Sequence, residues 1–300
     1  MDRLQTMSVF VAVAENAGFA PAARQLNLSP PSVTRAVSEL EARLGARLLH
    51  RTTRTVGLTE AGQRYLADCQ RILSDIDTAE QHAAGLHARP SGLVTVTASV
   101  MFGHMVLAPV LMDLLTAYPE ISVTGMFADR VVHMYEDGID VAVRIAELPD
   151  SSLTAVRVGS VRKVLCASPG YLAGNGRPRH PSDLAQHALI DFVNMTTAGQ
   201  WVFADGGKTI AVTPDTRLRV NSGNVAIDAA MHGFGITRLL SYMIAAELGS
   251  GEMEIVLEDY EPAPVPIHIV HKEAGQTSAR VRAVIDFLVM ALRHHPGVGV

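Results

Sequence analysis

The sequence predicts an α/β fold in three parts: an amino-terminal winged helix-turn-helix, a long linker helix, and a larger body of two α/β lobes. Three observations carry this reading. Residues 19–62 hold two short helical segments and a β-branched, arginine-bearing hairpin. Residues 60–86 keep one apolar seam. From Leu93 onward the apolar period changes and strand-like and helix-like segments alternate, the pattern of a sheet covered by helices on both faces.

In order along the chain, Leu4, Met7, Val11 and Ala14 recur at spacings of 3, 4 and 3, with Phe10 beside them, which predicts an amphipathic first helix packed under the helix-turn-helix. Pro21–Leu26 is a short second helix, Asn27-Leu-Ser29 a break, and Pro30–Leu44 a third helix. Ser29 can cap free N–H groups, Pro30 and Pro31 suit a first turn whose donors are unpaired in any case, and Gly45 ends the helix. Val33, Val37, Leu40 and Leu44 make a buried stripe, while Ser32, Thr34, Arg35 and Ser38 lie opposite. Two short helices with Ala22 and Ala23 at their crossing form a helix-turn-helix, whose second helix fits the major groove of double-stranded DNA. Its outer side chains, with Ser29 and Pro30 at the start, can meet base edges and phosphates.

Leu48–Thr59 is rich in β-branched residues and holds Arg51, Thr53 and Arg54, which predicts a two-stranded wing able to lie on phosphates or enter the minor groove. The plainer reading is a hairpin with solvated arginines, and the helix-turn-helix directly before it favours the wing. Glu60–Leu86 reads as one helix with a seam at Tyr65, Cys69, Ile72, Ile76, Ala79, Ala83 and Leu86. With no similar seam nearby in the chain, the same helix of a second subunit is the expected partner, the alternative being a long helix packed on its own domain. Cys69 is read as a small buried hydrophobe on that seam. His87–Gly92 is a linker.

The body begins with a strand in which Val94, Val96 and Ala98 alternate with Thr95 and Thr97. A helix from about Gly103 to Tyr118, strand Ile121–Phe127, helix Val131–Glu136 and strand Asp140–Ile145 follow, in a mainly parallel sheet. Val156–Ala167 crosses into a second lobe with Ala188–Phe192, Trp201–Ala204, Ile210–Val220, a helix near Val225–His232, and Gly235–Leu239. Ile255–Leu257 and Ile267–Val270 return, and Gln276–His294 closes the chain. Two lobes joined by a double crossover leave a cleft at their strand ends, a favoured place for a small molecule.

The residue order resembles the LysR-type transcriptional regulators. Ala22-Ala23-x-x-Leu26, Ser29-x-Pro31-Ser32-Val33-Thr34-Arg35, Leu40-Glu41-x-x-Leu44-Gly45, Leu48-Leu49-x-Arg51, Arg54 and Leu58-Thr59-Glu60-Ala61-Gly62 carry the resemblance in the first part. Leu107-x-Pro109-x-Leu111, Tyr118-Pro119, Gly138-x-Asp140-Val141-Ala142-x-Arg144, Pro149–Leu153, Pro169-x-Tyr171-Leu172 and Gly233-x-Gly235-Ile236 extend it more loosely over nearly the whole chain. Pro30 stands where the family often has Gln, Leu49 where it often has Phe, and Leu239-Leu240 where it often shows Leu-Pro. The resemblance implies a periplasmic-binding-protein-like effector domain and assembly as a homodimer or a homotetramer built as a dimer of dimers. The implied division is 1–59 for the winged helix-turn-helix, 60–91 for the linker and dimerisation helix, and 92–300 for the regulatory domain. Its first lobe is about 92–161 with 266–300, its second about 162–265.

Bulk properties narrow the function classes. A net charge of −5 over 300 residues argues against a generally basic nucleic-acid coat, yet residues 35–64 hold six arginines against Glu39, Glu41 and Glu60, so positive charge is concentrated where the DNA reading needs it. No apolar run approaches the length of a membrane span, and Asp2 and Arg3 lead straight into the first helix without the apolar core of a secretory signal, so neither feature is expected. Cys69 and Cys166 are far apart, which favours a reducing cytoplasm over a disulfide. Neither a nucleophile motif nor a phosphate-binding glycine loop occurs, so no enzyme activity and no cofactor are expected. His268 and His271, three apart on a strand, face opposite ways, and no metal site is expected.

For the cleft, the family pattern places Ser99-Val100-Met101-Phe102-Gly103 between the first strand and helix of the body. Backbone N–H groups there and the Ser99 hydroxyl would receive an anionic effector, with Met101 and Phe102 as an apolar wall; a plain helix cap over two core side chains is the competing reading. Arg144 would pair with a carboxylate, either the ligand's or a structural Asp or Glu. Asn194, Asn221 and Ser222 would line the second lobe, unless Ser222 serves as a helix cap. The reading is a sequence-specific regulator, with RNA polymerase contact open. The alternative is a solute-binding module with an amino-terminal assembly domain.

Overall fold

The structure, a computed structural model, describes residues 2–51, 56–83, 89–130, 132–134, 136–149, 153–193, 200–272 and 278–299. The chain divides into two compact units, Met1–Gly92 and Leu93–Val300.

In the first unit, α1 (Arg3–Glu15) begins where the Asp2 side chain accepts from Gln5 N. Its buried residues are Thr6, Val9, Phe10, Ala12 and Val13, rather than the expected stripe: Leu4 is 41% exposed and Met7, Val11 and Ala14 are half-buried. The run Val9-Phe-Val-Ala-Val13 is apolar on every side, so periodicity could not choose a face. α2 (Phe19–Gln25) and α3 (Pro30–Leu44) come next. Asn27 turns the chain with φ +52°, and Ala22 and Ala23 are buried where the helices meet.

Ser29 Oγ accepts from Ser32 N at 3.3 Å, and Gly45 closes α3 with φ +65°. Val33, Val37 and Leu40 are fully buried, but Leu44 is 41% exposed. Glu41 takes the last inward position. Its Oε1 accepts from Leu48 N at 2.8 Å and Leu49 N at 3.1 Å, fastening the end of α3 to β1 (Leu49–Arg51). β1 pairs antiparallel with β2 (Val56–Leu58), and residues 52–55 lie outside the described residues.

α4 (Glu60–Ala83) starts against the wing: a Cβ at Gly62 would lie 2.0 Å from the Leu48 carbonyl oxygen. The first two seam positions pack within their own unit rather than against a second subunit, as the alternative reading of the helix has it. Tyr65 packs with its ring centroid 5.6 Å from that of Phe10, and Cys69 is buried in the same core. Leu86 lies outside the described residues.

In the second unit β3 (Gly92–Ala98) leads into a continuous helical rod, α5 (Val100–Phe102), a π-helical turn Gly103–Leu107 and α6 (Ala108–Ala117). The helix thus begins three residues before the expected start. Val100–Ala117 is also apolar and long enough for a membrane span by length and composition, contrary to the sequence reading. Its Phe102, Val106, Leu107, Val110, Leu111 and Leu114 are buried in the unit's core, which is what a core helix requires.

β4 (Ile121–Phe127), β5 (Val141–Ile145) and β6 (Thr154–Val161) succeed it. The expected helix at 131–136 is turn and irregular backbone among its described residues. Asp137 N donates to His133 O at 2.9 Å, but left-handed Gly138 (φ +66°) stops the helix after one turn.

At Arg162 the chain crosses to β7 (Lys163–Ala167), then runs through α7 (Pro169–Asn175), β8 (Leu189–Phe192), β9 (Trp201–Asp205), β10 (Lys208–Val212), β11 (Thr216–Val220), α8 (Gly223–Met231), β12 (Ile236–Leu240), α9 (Ala245–Ser250) and β13 (Glu254–Val256). It returns as β14 (Val265–His271) and α10 (Ala279–Arg293). The single strand expected at 210–220 is two strands, broken at Thr213-Pro-Asp215, because Pro cannot donate to a ladder.

The first lobe's sheet has the order β4-β3-β5-β14-β6 and the second lobe's the order β11-β8-β12-β7-β13, while β9 and β10 form a separate hairpin. Both main sheets are mixed rather than mainly parallel. β14 runs antiparallel to β5 and β6, and β7 antiparallel to β12 and β13. The crossover strands enter each sheet from the other lobe and so run against the βα units.

Candidate functional site

The first site is the outer face of α3. Burying Val33, Ala36, Val37 and Leu40 turns Pro30, Pro31, Thr34, Arg35 and Ser38 outward; all are exposed, and Ser29 is exposed beside half-buried Ser32. Thr34, Arg35 and Ser38 are spaced to share one side of a helix. The Arg35 side chain is 82% exposed, and its Nε donates to Glu39 Oε1 at 2.8 Å. That hydrogen bond holds the Glu39 carboxyl below the usual carboxylate range. Thr34 Oγ1 donates to Pro30 O, and Ser29 Oγ meets Ser32 Oγ at 2.8 Å. The backbone of Arg51 lies in β1, while Thr53 and Arg54 lie outside the described residues.

The second site is a cavity of about 560 Å³ in the second unit, between the two main sheets. Its lining comes from strand ends: Thr97 and Ala98 of β3, Arg144 and Ile145 of β5, Asp191 and Phe192 of β8, and Arg238 and Leu240 of β12. Carboxyl ends of strands are where such a fold opens a crevice.

Of the expected effector residues, Ser99 and Arg144 line this cavity. The Ser99 hydroxyl is buried without a hydrogen-bond partner among the described residues. It lies beside the Tyr242 phenol, whose proton affinity burial raises and the serine lowers a little, without the two meeting in hydrogen-bond geometry. The helix start behind Ser99 is already faced by an anion, since Val100 N donates to Asp129 Oδ1 at 3.1 Å. Arg144 has no carboxylate partner among the described residues, so of its two expected pairings the structural one, with an Asp or Glu, is not seen there. Nη2 donates to Val132 O at 2.7 Å, and burial depresses its proton affinity.

Val100, Met101 and Phe102 do not line the cavity. Val100 points outward, Phe102 is fully buried with its ring 5.3 Å from that of Tyr242, and Met101 packs where a Cβ on Gly223 would lie. The early start of the helix explains this, because it turns these residues into the contact between lobes. Asn221 and Ser222 are also outside the lining. Ser222 takes the N-cap position of α8 without a side-chain cap bond. Asn194 lies outside the described residues.

The sequence reading missed Arg238. Its guanidinium carbon sits 5.4 Å from the Trp201 ring centroid, and burial pushes its pKa down to about 10 against the pull of Asp191. Asp191 accepts from Trp201 Nε1 at 3.2 Å and Arg219 Nε at 3.1 Å. Arg238 was legible in principle, as a charged residue late in a strand of a parallel pair.

Residues 4–63 match the family model for the bacterial regulatory helix-turn-helix protein, lysR family, and residues 87–293 match the LysR substrate binding domain. The chain belongs to the LysR family. It is a LysR-type transcriptional regulator with a substrate-binding domain. It is 32% identical over 288 residues to the HTH-type transcriptional activator AaeR of Escherichia coli K12, covering 96% of this chain and 93% of that protein. It is equally 32% identical, over 300 residues, to an HTH-type transcriptional repressor of Pseudomonas aeruginosa, covering 99% and 95%. The structure of CrgA, a LysR-type transcriptional regulator from Neisseria meningitidis, superposes with a TM-score of 0.62 at 30% identity, covering 96% and 98%. In LysR-family terms, the exposed face of α3 belongs to the helix-turn-helix and the two-lobed cavity to the substrate-binding domain.

Proposed function

We propose that this LysR-family chain binds a specific DNA site through α3 and changes its hold on that site when a small molecule occupies the cleft. The observation that carries the reading is the outer side of α3: Thr34, Arg35 and Ser38 are exposed to solvent on a helix capped at both ends and fixed by a buried stripe. Short hydroxyl side chains and one guanidinium are suited to base edges, with Ser29, Pro30 and Ser32 at the helix start set near phosphates. Arg51, Thr53 and Arg54 act from the wing on the backbone or minor groove.

The functional division accords with the same reading: residues 1–59 bind DNA, 60–91 pair subunits, and 92–300 sense the effector. Homodimers, or homotetramers made from them, would present paired α3 helices to a two-fold related site. Ligand closure of the cleft would change the angle between those pairs, and with it DNA bending or polymerase contact. The protein would act beside the chromosome in the cytoplasm, without catalysis of its own.

The test uses the full chain. A binding site is selected from random duplexes, and wild type and Arg35→Ala are titrated on it. Loss of about 1–3 kcal/mol with relaxed selectivity at one base position is expected for a base contact. Unchanged affinity and selectivity would remove Arg35 from the reading face.

A further inference from the structure

The charged groups around the cleft are not all committed. Asp129 is held by Val100 N, and Arg130 faces Asp137 at 3.7 Å. Asp191 is occupied by Trp201 and Arg219. That leaves Arg144 in β5 of the first lobe and Arg238 in β12 of the second. Arg144 spends one donor on a carbonyl, and the Arg238 guanidinium lies over the face of Trp201, with Asp191 near enough to attract it. A guanidinium carries five donors in a fork shaped for a carboxylate. Two of them, partly withdrawn from water and with no ion pair to a carboxylate among the described residues, are costly unless something anionic comes between them.

The charge count decides how anionic. Arg130, Arg144 and Arg238 line the cavity against Asp129 and Asp191, a surplus of one positive charge. Adding the outer partners Asp137 and Arg219 leaves that surplus unchanged. Residues 194–199, next in sequence to the lining residues Val193 and Gln200, contain no ionisable side chain. The rest of the wall is largely apolar, with Val143, Ile145, Phe192, Leu240 and Met243. The Ser99 hydroxyl adds a buried polar group without a hydrogen-bond partner among the described residues.

We propose that the cleft takes a small organic monoanion, its carboxylate shared by Arg144 and Arg238 and its body lying on the apolar wall. This rests on the effector reading above and narrows it to a chemical class. A carboxylate bonded from both lobes ties them together, so occupancy and closure are one event. It also draws Arg238 from the ring of Trp201, the only tryptophan in the chain, which makes that ring a built-in reporter.

The full-length protein is titrated with hexanoate and benzoate, with hexanamide and benzamide as uncharged mimics, and with adipate and terephthalate as dianions. Melting temperature and Trp201 fluorescence are read together. The monocarboxylates at millimolar concentration are expected to raise the melting temperature and shift the fluorescence. The amides should do neither, and the dianions should bind at least about tenfold more weakly. Arg238→Met should abolish both responses, and Arg238→Lys, which keeps the charge but loses the fork, should weaken binding by about tenfold. Circular dichroism and retained operator binding check that the variants fold.

A response to the amides equal to that of the acids overturns the proposal. So does tighter binding of a dianion, an undiminished response in folded Arg238→Met, or silence from both monocarboxylates. None of these touches the Arg35 test. Conversely, loss of DNA recognition beside an intact carboxylate response sinks the regulator reading and leaves the site.

Discussion

Glu41 offers the sharpest test of how the DNA-binding unit is held together. Leu48 and Leu49 are buried, and both of their N–H groups end on one Glu41 carboxylate oxygen. In Glu41→Ala two buried donors lose their charged acceptor. A hydrogen bond to a charged group is worth about 1.5–3 kcal/mol, and an unsatisfied buried donor costs a similar amount. Allowing for partial relaxation, the loss should be about 2–4 kcal/mol, a large share of a stability of roughly 5–15 kcal/mol. At roughly 4–8 °C per kcal/mol for a unit of this size, its melting transition should fall by about 8–32 °C. Glu41→Gln keeps a carbonyl oxygen in place and should lose only about 1 kcal/mol. Calorimetry of the full chain tracks the transition, and operator titration shows whether the wing has come loose from α3. A transition in Glu41→Ala within about 0.5 kcal/mol of wild type would refute the reasoning.

Two further outcomes concern the same region and the thiols. Gly62→Ala places a methyl 2.0 Å from the Leu48 carbonyl oxygen and 2.9 Å from its carbon, so backbone must shift; a loss of about 1–3 kcal/mol is expected, measured by urea unfolding. Because Gly62 and Glu41 both act on Leu48, the double variant should be less than additive. Cys69 is fully buried, with burial pushing its pKa up to about 11, and burial pushes the Cys166 thiol higher still. Near pH 8 the Cys69 thiol is therefore overwhelmingly protonated and a poor nucleophile. Neither cysteine should react with a thiol reagent until the chain is unfolded, and prompt labelling of the native protein would contradict that burial.

The legible parts of the molecule were those specified locally. α3 has its cap, its prolines, its buried stripe and its terminating glycine within residues 29–45, and periodicity found it nearly residue for residue. α1 was misoriented because five consecutive apolar residues offer no contrast. Leu44 was misplaced because the competing inward residue is a carboxylate, and a pattern search counts Glu41 as polar without asking what its oxygens receive. The candidate cleft was half legible. Arg144 and Ser99 stand beside motifs, whereas the place of Arg238 in the cavity depends on β12 pairing with β8 and β7, strands distant in sequence. Met101 and Phe102 follow the competing reading, as core side chains, because the helix begins three residues sooner than expected.

The hinge shows why long-range features resist pattern reading. β6 passes into β7 through one residue, Arg162, and β13 returns to β14 through residues 257–264. Arg162 Nη1 lies 2.8 Å from Glu258 Oε1 and 3.5 Å from Glu261 Oε2, so one crossover is clamped to the other. The backbone does the same on its other side, where Ser241 N donates to Arg162 O and Arg162 N to Ser241 Oγ. A partner 96 residues away leaves no trace in a window of any useful length. Because the lobes meet through these two crossovers and through the Phe102–Tyr242 contact, a carboxylate bridging Arg144 and Arg238 would pull on a joint fixed at both edges. Small changes at the cavity would then be resolved as rotation about Arg162 rather than absorbed within either sheet.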